Sequence, residues 1–547
     1  MNIYLIGMII ALAVMLIVGL IVSRKVRNAE DFYVAGRQAP VLLIAGSLIA
    51  SYSSTGMFMG DAATCYDGAF VPIILFAGMQ SAGYIFGAIF FGRYLRRTSA
   101  LTMPEFFGIR FNSRAMRTLA AVTAIITMTV YLLSVIQGIG TLMEVVTGVD
   151  YRICIVAAMV VFTFISVTSG SRGVLITDTL MAAVFTIAMI LGVVFIAQGT
   201  GGWFNTIETI ASNADTSAII SWAGRPEVLG SLYKGGADNV AWGIVYGIVW
   251  MSVCMIGPWQ ASRYQMAKSE HVIVKSSFWS AIGVFALEFL SGIAAVMVQR
   301  VYPDMENSSH VLIWASMNLM PKVLGVILLT GILAAGISSA TTFQSLVGAS
   351  VSNDIVKAME KSGDVSDEER KKLDKRGINI GRIAMIVTAL VVLAIAVANP
   401  PAIFIIMYLG GAMMASSWMP VAVASIFSKR LTKTGAFCGM LAGFAGTFCL
   451  KLASYFFNFS LPVYLDPSVV GIVVNIIAMI IGSACTKVTE EEKEQRARLF
   501  IMPESEKNPK DVKKTLRFAK IGICIGAIVI IGLVVLWIIP YLKGLNM

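Results

Sequence analysis

Ser51-Tyr52-Ser53-Ser54-Thr55-Gly56 lies in the middle of an otherwise apolar run from Pro40 to about Ala62. A second polar cluster, Ser338-Ser339-Ala340-Thr341-Thr342, interrupts the run from about Pro321 to Asn353. In hydrocarbon an unpaired backbone or hydroxyl group is strongly unfavourable, so such clusters persist only inside protein or beside a water-filled path. Uncharged oxygens at that depth are also the ligands a desolvated hard cation prefers.

The rest of the chain fits that setting. It has 547 residues, 57% hydrophobic and 13% charged, with mean hydropathy +0.81. That balance excludes a soluble globular protein and reads as an all-α polytopic membrane protein. Apolar runs of roughly 18 residues or more give about fourteen spans. They centre near residues 13, 51, 83, 131, 161, 186, 248, 286, 337, 388, 413, 445, 476 and 528. Val311 to Leu319 is too short to span and reads as an interfacial or re-entrant helix.

Lys and Arg gather in alternate loops: Arg24, Lys25, Arg27 and Arg37, then Arg96 to Arg117, Arg263 and Lys268. The pattern continues through Lys357 to Arg376, Lys429 to Lys433 and Lys487 to Lys520. This alternation accounts for the net charge of +11. It predicts a multi-pass protein of the cytoplasmic membrane with both termini outside, whose partner is the lipid bilayer and not nucleic acid. Seven scattered cysteines without a CxxC, and two histidines without an HExxH, give no metal spacing. No cofactor is expected beyond a coupling ion.

Two bundles of five spans are expected, Pro40 to Gly199 and Asp238 to Phe427. Because five is odd, the second bundle starts from the opposite face, which is the topology of an inverted repeat with its sites near the midplane. The predicted organisation is an extra helix and loop over 1–39, a ten-helix core over 40–427 and three further helices over 428–547. No segment is long enough for a separate catalytic domain, so the two polar clusters point to a cation-coupled carrier and not to an enzyme.

Specific residues then resemble the sodium/solute symporter family, which includes the proline, pantothenate, acetate and sugar symporters. Asp31-Phe32-Tyr33-Val34-Ala35-Gly36-Arg37 resembles the motif ahead of its second span. Thr102-Met103-Pro104-Glu105 with Arg110-Phe111 resembles its loop signature, and Thr177-Asp178 its Thr-Asp pair. Arg263 with Lys268-Ser269, and Ser338-Ser339 followed by Ser352-Asn353-Asp354, complete the series. The resemblance implies a LeuT-like 5+5 inverted-repeat helical bundle. It implies a sodium site made by the carbonyls of Ala50, Ser53 and Ala335 with the hydroxyls of Ser338 and Ser339, and a role for Asp178 near the ion's exit. Ala335 and Ser338 or Ser339 are three or four residues apart and so share a helix face.

The same resemblance sets Trp250 and Tyr131 at positions of substrate contact in the proline symporters. Tyr52 departs from it, standing where proline symporters are acidic and sugar symporters carry an amide. Met57 stands where a sugar symporter has a polar contact. A pocket of Tyr52, Ser54, Met57, Tyr131 and Trp250 is small and mostly apolar, which favours a small monocarboxylate or similar organic anion held at a half-helix N-terminus. Aromatic residues at helical spacing also serve simply as packing. Gln80 and Gln137 are further buried-amide candidates. Glu288, isolated near the middle of its span, is a proton or charge-pairing site or a structural carboxylate. The alternatives left open are a proton-coupled carrier using Glu288 or Asp178, and a transporter-like sensor.

Overall fold

The computed structural model describes residues 3–23, 33–225, 228–229, 236–359, 367–398, 403–457, 459 and 461–545. Asp31, Phe32, Arg24, Lys25 and Arg27 lie outside them. Among the described residues eleven helices are long and apolar enough to cross a membrane. Three shorter apolar ones, Ile3–Val18, Val41–Tyr52 and Ile531–Leu545, join them. Val311–Asn318 is an eight-residue helix, as its length required.

The chain opens with α1 (Ile3–Ser23) and α2 (Val41–Tyr52). After a break the helix resumes over Gly56–Asp61 and continues to Gly68, whose φ of 119° ends it. Next come α3 (Phe70–Gly87), α4 (Arg114–Thr147), α5 (Tyr151–Thr168) and α6 (Gly173–Thr200). The second half runs through α7 (Gly236–Ile256), α8 (Pro258–Met266), α9 (Glu270–Val301) and α10 (Lys322–Ala349). It closes with α11 (Asp367–Val397) and α12 (Ile403–Phe427). Then follow α13 (Lys433–Phe456), α14 (Pro467–Ala484) and α15 (Pro509–Leu533).

Local chemistry sets many of these boundaries. Ser113, Ser269 and Thr432 accept hydrogen bonds from the N–H of Met116, Val272 and Gly435, which starts α4, α9 and α13. Gly148 closes α4 in the left-handed region at φ 72°. α7 stops because Gly257 turns extended (ψ 144°) while Pro258 has no N–H for Cys254 O.

Each half therefore begins with a helix broken part-way, as the inverted repeat requires. The two beginnings also touch: Ala39 N donates to Met266 O and Lys268 N to Ala39 O, both at 3.0 Å. α5 and α6 pass along α10, where Gln344 reaches Thr163 and Ser338 reaches Asp178. α1 packs against the Tyr151–Thr200 stretch that holds α5 and α6 and against α10, and the α13–α14 pair packs on α12.

Candidate ion and solute site

α2 ends at Ser53, whose φ of −69° and ψ of 67° form an inverse γ-turn. Ser53 N still donates to Ile49 O at 2.9 Å, but Ser54 N closes onto Tyr52 O at 2.6 Å. It thereby leaves Ala50 O, the carbonyl it would reach in a continuing helix. Gly56 N donates to Ser54 Oγ at 3.2 Å and Phe58 N to Ser54 O at 3.3 Å, and the helix resumes.

α10 and α4 close on this break through bare glycines. A Cβ on Gly336 would stand 2.7 Å from the Ile139 side chain and 3.0 Å from Thr55; one on Gly138 would stand 2.5 Å from Thr55. Ser339 Oγ points at Ser51 O, 3.4 Å away, a long contact for a hydroxyl donor. Ala50, Ser53, Ala335 and Ser339 are completely buried. Ser53 Oγ has no hydrogen-bond partner. The break of α2 and the polar patch of α10 therefore share one buried spot.

Ser338 turns the other way and donates to Asp178 Oδ1 at 2.5 Å. Ser47 donates to Asp178 Oδ2 at 2.6 Å and Arg263 Nη2 at 2.9 Å. Arg263 also donates to Ser47 Oγ and Thr342 Oγ1, each at 3.0 Å. Four helices, α2, α6, α8 and α10, meet in this cluster. One expectation is corrected here: Arg263, 2% exposed, is no loop cation, and Asp178 beside it is wholly buried. A carboxylate and a guanidinium taken out of water need each other, and here they are paired. A narrow crevice lined by Tyr33, Ser47, Leu101, Arg263, Thr342 and Ser345 leads to this pair.

Trp250, fully buried, is the hub of an aromatic cage. Its ring meets Tyr52 at 6.0 Å, Tyr131 at 5.8 Å, Tyr408 at 5.7 Å and Phe76 at 6.3 Å between centroids. Tyr131 also lies 4.6 Å from Phe343, and Ser54 is within its hydrogen-bonding reach. Met57 is buried on the resumed helix and Gln137 on α4. Trp250 Nε1 is buried without a hydrogen-bond partner.

Glu288 sits in the middle of α9 and accepts from Gln80 Nε2 at 2.5 Å. Tyr52 and Asp61 are within hydrogen-bonding reach of it. Tyr408 OH lies 3.4 Å from Asp61 Oδ1. Asp61 is absent from the sequence expectations, in which the first broken span ends near Ala62. The helix in fact runs on to Gly68, which puts Asp61 within the span. The rule that singles out Glu288 as an intramembrane carboxylate would have found it. Tyr408 carries no such signal. Arg110 proves structural, donating to Ser425 O at 2.6 Å and Glu492 O at 3.0 Å, and burial pulls its guanidinium down to about 10.

Two inverted five-helix repeats, each opened by a broken helix, make this a secondary transporter of the LeuT type. The chain belongs to the sodium:solute symporter family, whose description matches residues 32–443. The sodium/proline symporter of Salmonella typhimurium is 25% identical over 452 residues, covering 78% of this chain and 84% of that protein. The one of Staphylococcus aureus is 25% identical over 431 residues, covering 76% and 79%. Among solved structures, the substrate-bound outward-open state of a Na+-coupled sialic acid symporter superposes with TM-score 0.72 at 18% identity, covering 90% of this chain and 99% of that one. A nucleobase-cation-symport-1 family transporter in a closed conformation gives TM-score 0.52 at 12% identity, covering 86% and 99%. These likenesses carry the fold. The chain is a membrane transporter and not an enzyme, in a family coupled to sodium.

Proposed function

We propose that this protein imports a small organic solute together with sodium by alternating access. The observation that carries the reading is the γ-turn at Ser53. It strips Ala50 O of its helical partner opposite Ser339, leaving oxygens buried where a cation can take them. Sodium is held by the carbonyls of Ala50, Ser53 and Ala335 and the hydroxyl of Ser339, joined by the hydroxyl of Ser338 when that side chain turns from Asp178 to the ion. The ion draws α2 and α10 together, and the solute binds in the adjoining cage of Tyr52, Ser54, Met57, Tyr131 and Trp250. Asp178 stands on the exit side of the ion. A carboxylate on the solute is favoured by the positive end of the helix that resumes at Gly56.

With basic loops inside, the crevice below Arg263 opens to the cytoplasm and both termini lie outside. One sodium entering across about 100 mV supplies ~2.3 kcal/mol, roughly a 50-fold accumulation of an electroneutral solute. For a monoanion entering with one sodium the electrical contribution cancels, so accumulation follows the sodium concentration gradient.

The test is uptake into proteoliposomes of labelled monocarboxylates, amino acids and pantothenate under an inward sodium gradient, an inward proton gradient or neither. Accumulation only with sodium is expected. In that assay Ser339→Ala should raise the half-saturating sodium concentration by tenfold or more at unchanged membrane insertion. An unchanged sodium dependence would remove Ser339 from the site.

A further inference from the structure

The aromatic cage has an acidic wall that neither sodium nor a solute carboxylate puts to use. Asp61 and Glu288, each 1% exposed, face one another across the resumed helix and α9. No ion pair to either occurs among the described residues. Asp61 Oδ2, Glu288 Oε1 and Gln80 Oε1 are all buried without a hydrogen-bond partner. Gln80 is itself completely buried, and its amide nitrogen is fixed on Glu288 Oε2. Its orphan oxygen is thereby held beside the carboxylates.

Three buried oxygens left without a partner beside two carboxylates favour a positively charged donor, and three sources can be compared. A proton shared by Asp61 Oδ2 and Glu288 Oε1 relieves their repulsion, yet it leaves Gln80 Oε1 unbonded. Sodium already has its place at the Ser53 break in the reading above, and the rings of Tyr52 and Tyr408, whose hydroxyls reach toward Glu288 and Asp61, join this site to Trp250. Aromatic faces attract a weakly hydrated organic cation. A primary ammonium brings three N–H donors, one for each orphan oxygen.

We propose that Asp61, Glu288 and Gln80 bind the ammonium group of the transported solute, whose carboxylate lies toward the Ser53–Gly56 break. The cargo is then a zwitterion of the amino-acid type and not a simple anion. This deepens the solute reading above and rests on it for the location of the cage.

The test uses purified full-length protein in nanodiscs. Equilibrium binding is measured for the common amino acids, for primary alkylamines and for the deaminated carboxylates of matching skeleton, with ²²Na⁺ binding followed in parallel. Binders are expected among the ammonium-bearing compounds, with at least a tenfold loss when the nitrogen is acetylated. Glu288→Gln and Asp61→Asn, which keep side-chain volume, should each weaken the best binder tenfold or more and leave ²²Na⁺ affinity within twofold.

Binding confined to the deaminated carboxylates, or by none of the ammonium-bearing compounds, overturns the proposal. So does loss of ²²Na⁺ affinity in Glu288→Gln, which makes the pair an ion site, and so does a shifted pH profile with solute affinity intact, which makes it a proton carrier. If the unaltered protein binds no ²²Na⁺, the sodium reading fails, whatever the amine result.

Discussion

Asp178 and Arg263 illustrate what a single buried charge demands. The carboxylate accepts from Ser47, Ser338 and Arg263, and the guanidinium also reaches Thr342. Removing one member strands the other in a medium that cannot solvate it, at a cost of about 3–5 kcal/mol. Asp178→Asn should therefore lower the thermal midpoint of the purified protein sharply, while Asp178→Asn/Arg263→Gln should recover much of the loss. Fluorescence-detected thermal unfolding of both variants checks this. A double variant no more stable than the single one would mean that the pair is not what holds the four helices.

At the scale of elements, the contact between α10 and the break of α2 depends on Gly336. A side chain there meets Ile139 and Thr55 before any relaxation. Overpacking of this kind costs about 1–3 kcal/mol, so Gly336→Ala should weaken half-saturation by sodium roughly 5- to 150-fold, and Gly336→Val more. Sodium-dependent uptake measured across both variants gives the answer, and equal half-saturation in both would separate ion binding from this contact.

The two breaks also show what the sequence discloses. The break at Ser53 was legible because hydroxyls in a lipid-length run have few places to go. The one at Gly257 was carried by a Gly-Pro dipeptide, a recognised punctuation mark, but the surrounding apolar run read as one span. Span number followed from length and hydropathy alone. The pairings of Glu288 with Asp61 and of Asp178 with Arg263 were not legible. They join residues far apart in the chain, and no periodicity records which helix faces which.

At the scale of the whole molecule, motifs scattered along the chain converge at one end of the bundle. Thr102 donates to Asp354 Oδ1 at 2.7 Å and Arg117 Nε to the same oxygen at 3.0 Å. Arg117 also pairs with Glu105 at 3.1 Å, Asn353 donates to Glu105 at 3.3 Å, and Tyr33 bonds Ser352 at 2.7 Å. Thr102, Glu105 and Arg117 belong to the first repeat and Asn353 and Asp354 to the second, so the network ties the repeats together beside the crevice. At the other end, Tyr66 donates to Tyr302 O and Ser308 to Asp67 Oδ2.

In the alternating access proposed above, rocking one repeat against the other breaks one tie while keeping the other. A hydrogen bond to a charged group contributes about 1.5–3 kcal/mol. Asp354→Asn should therefore shift the balance toward the state open at the Tyr33 end by roughly 10- to 150-fold. A cysteine placed at Ser345, which lines the crevice, reports this as faster labelling by a membrane-impermeant thiol reagent, read above the native-cysteine background. An unchanged rate would make the cluster a brace within one rigid body and not a latch between two.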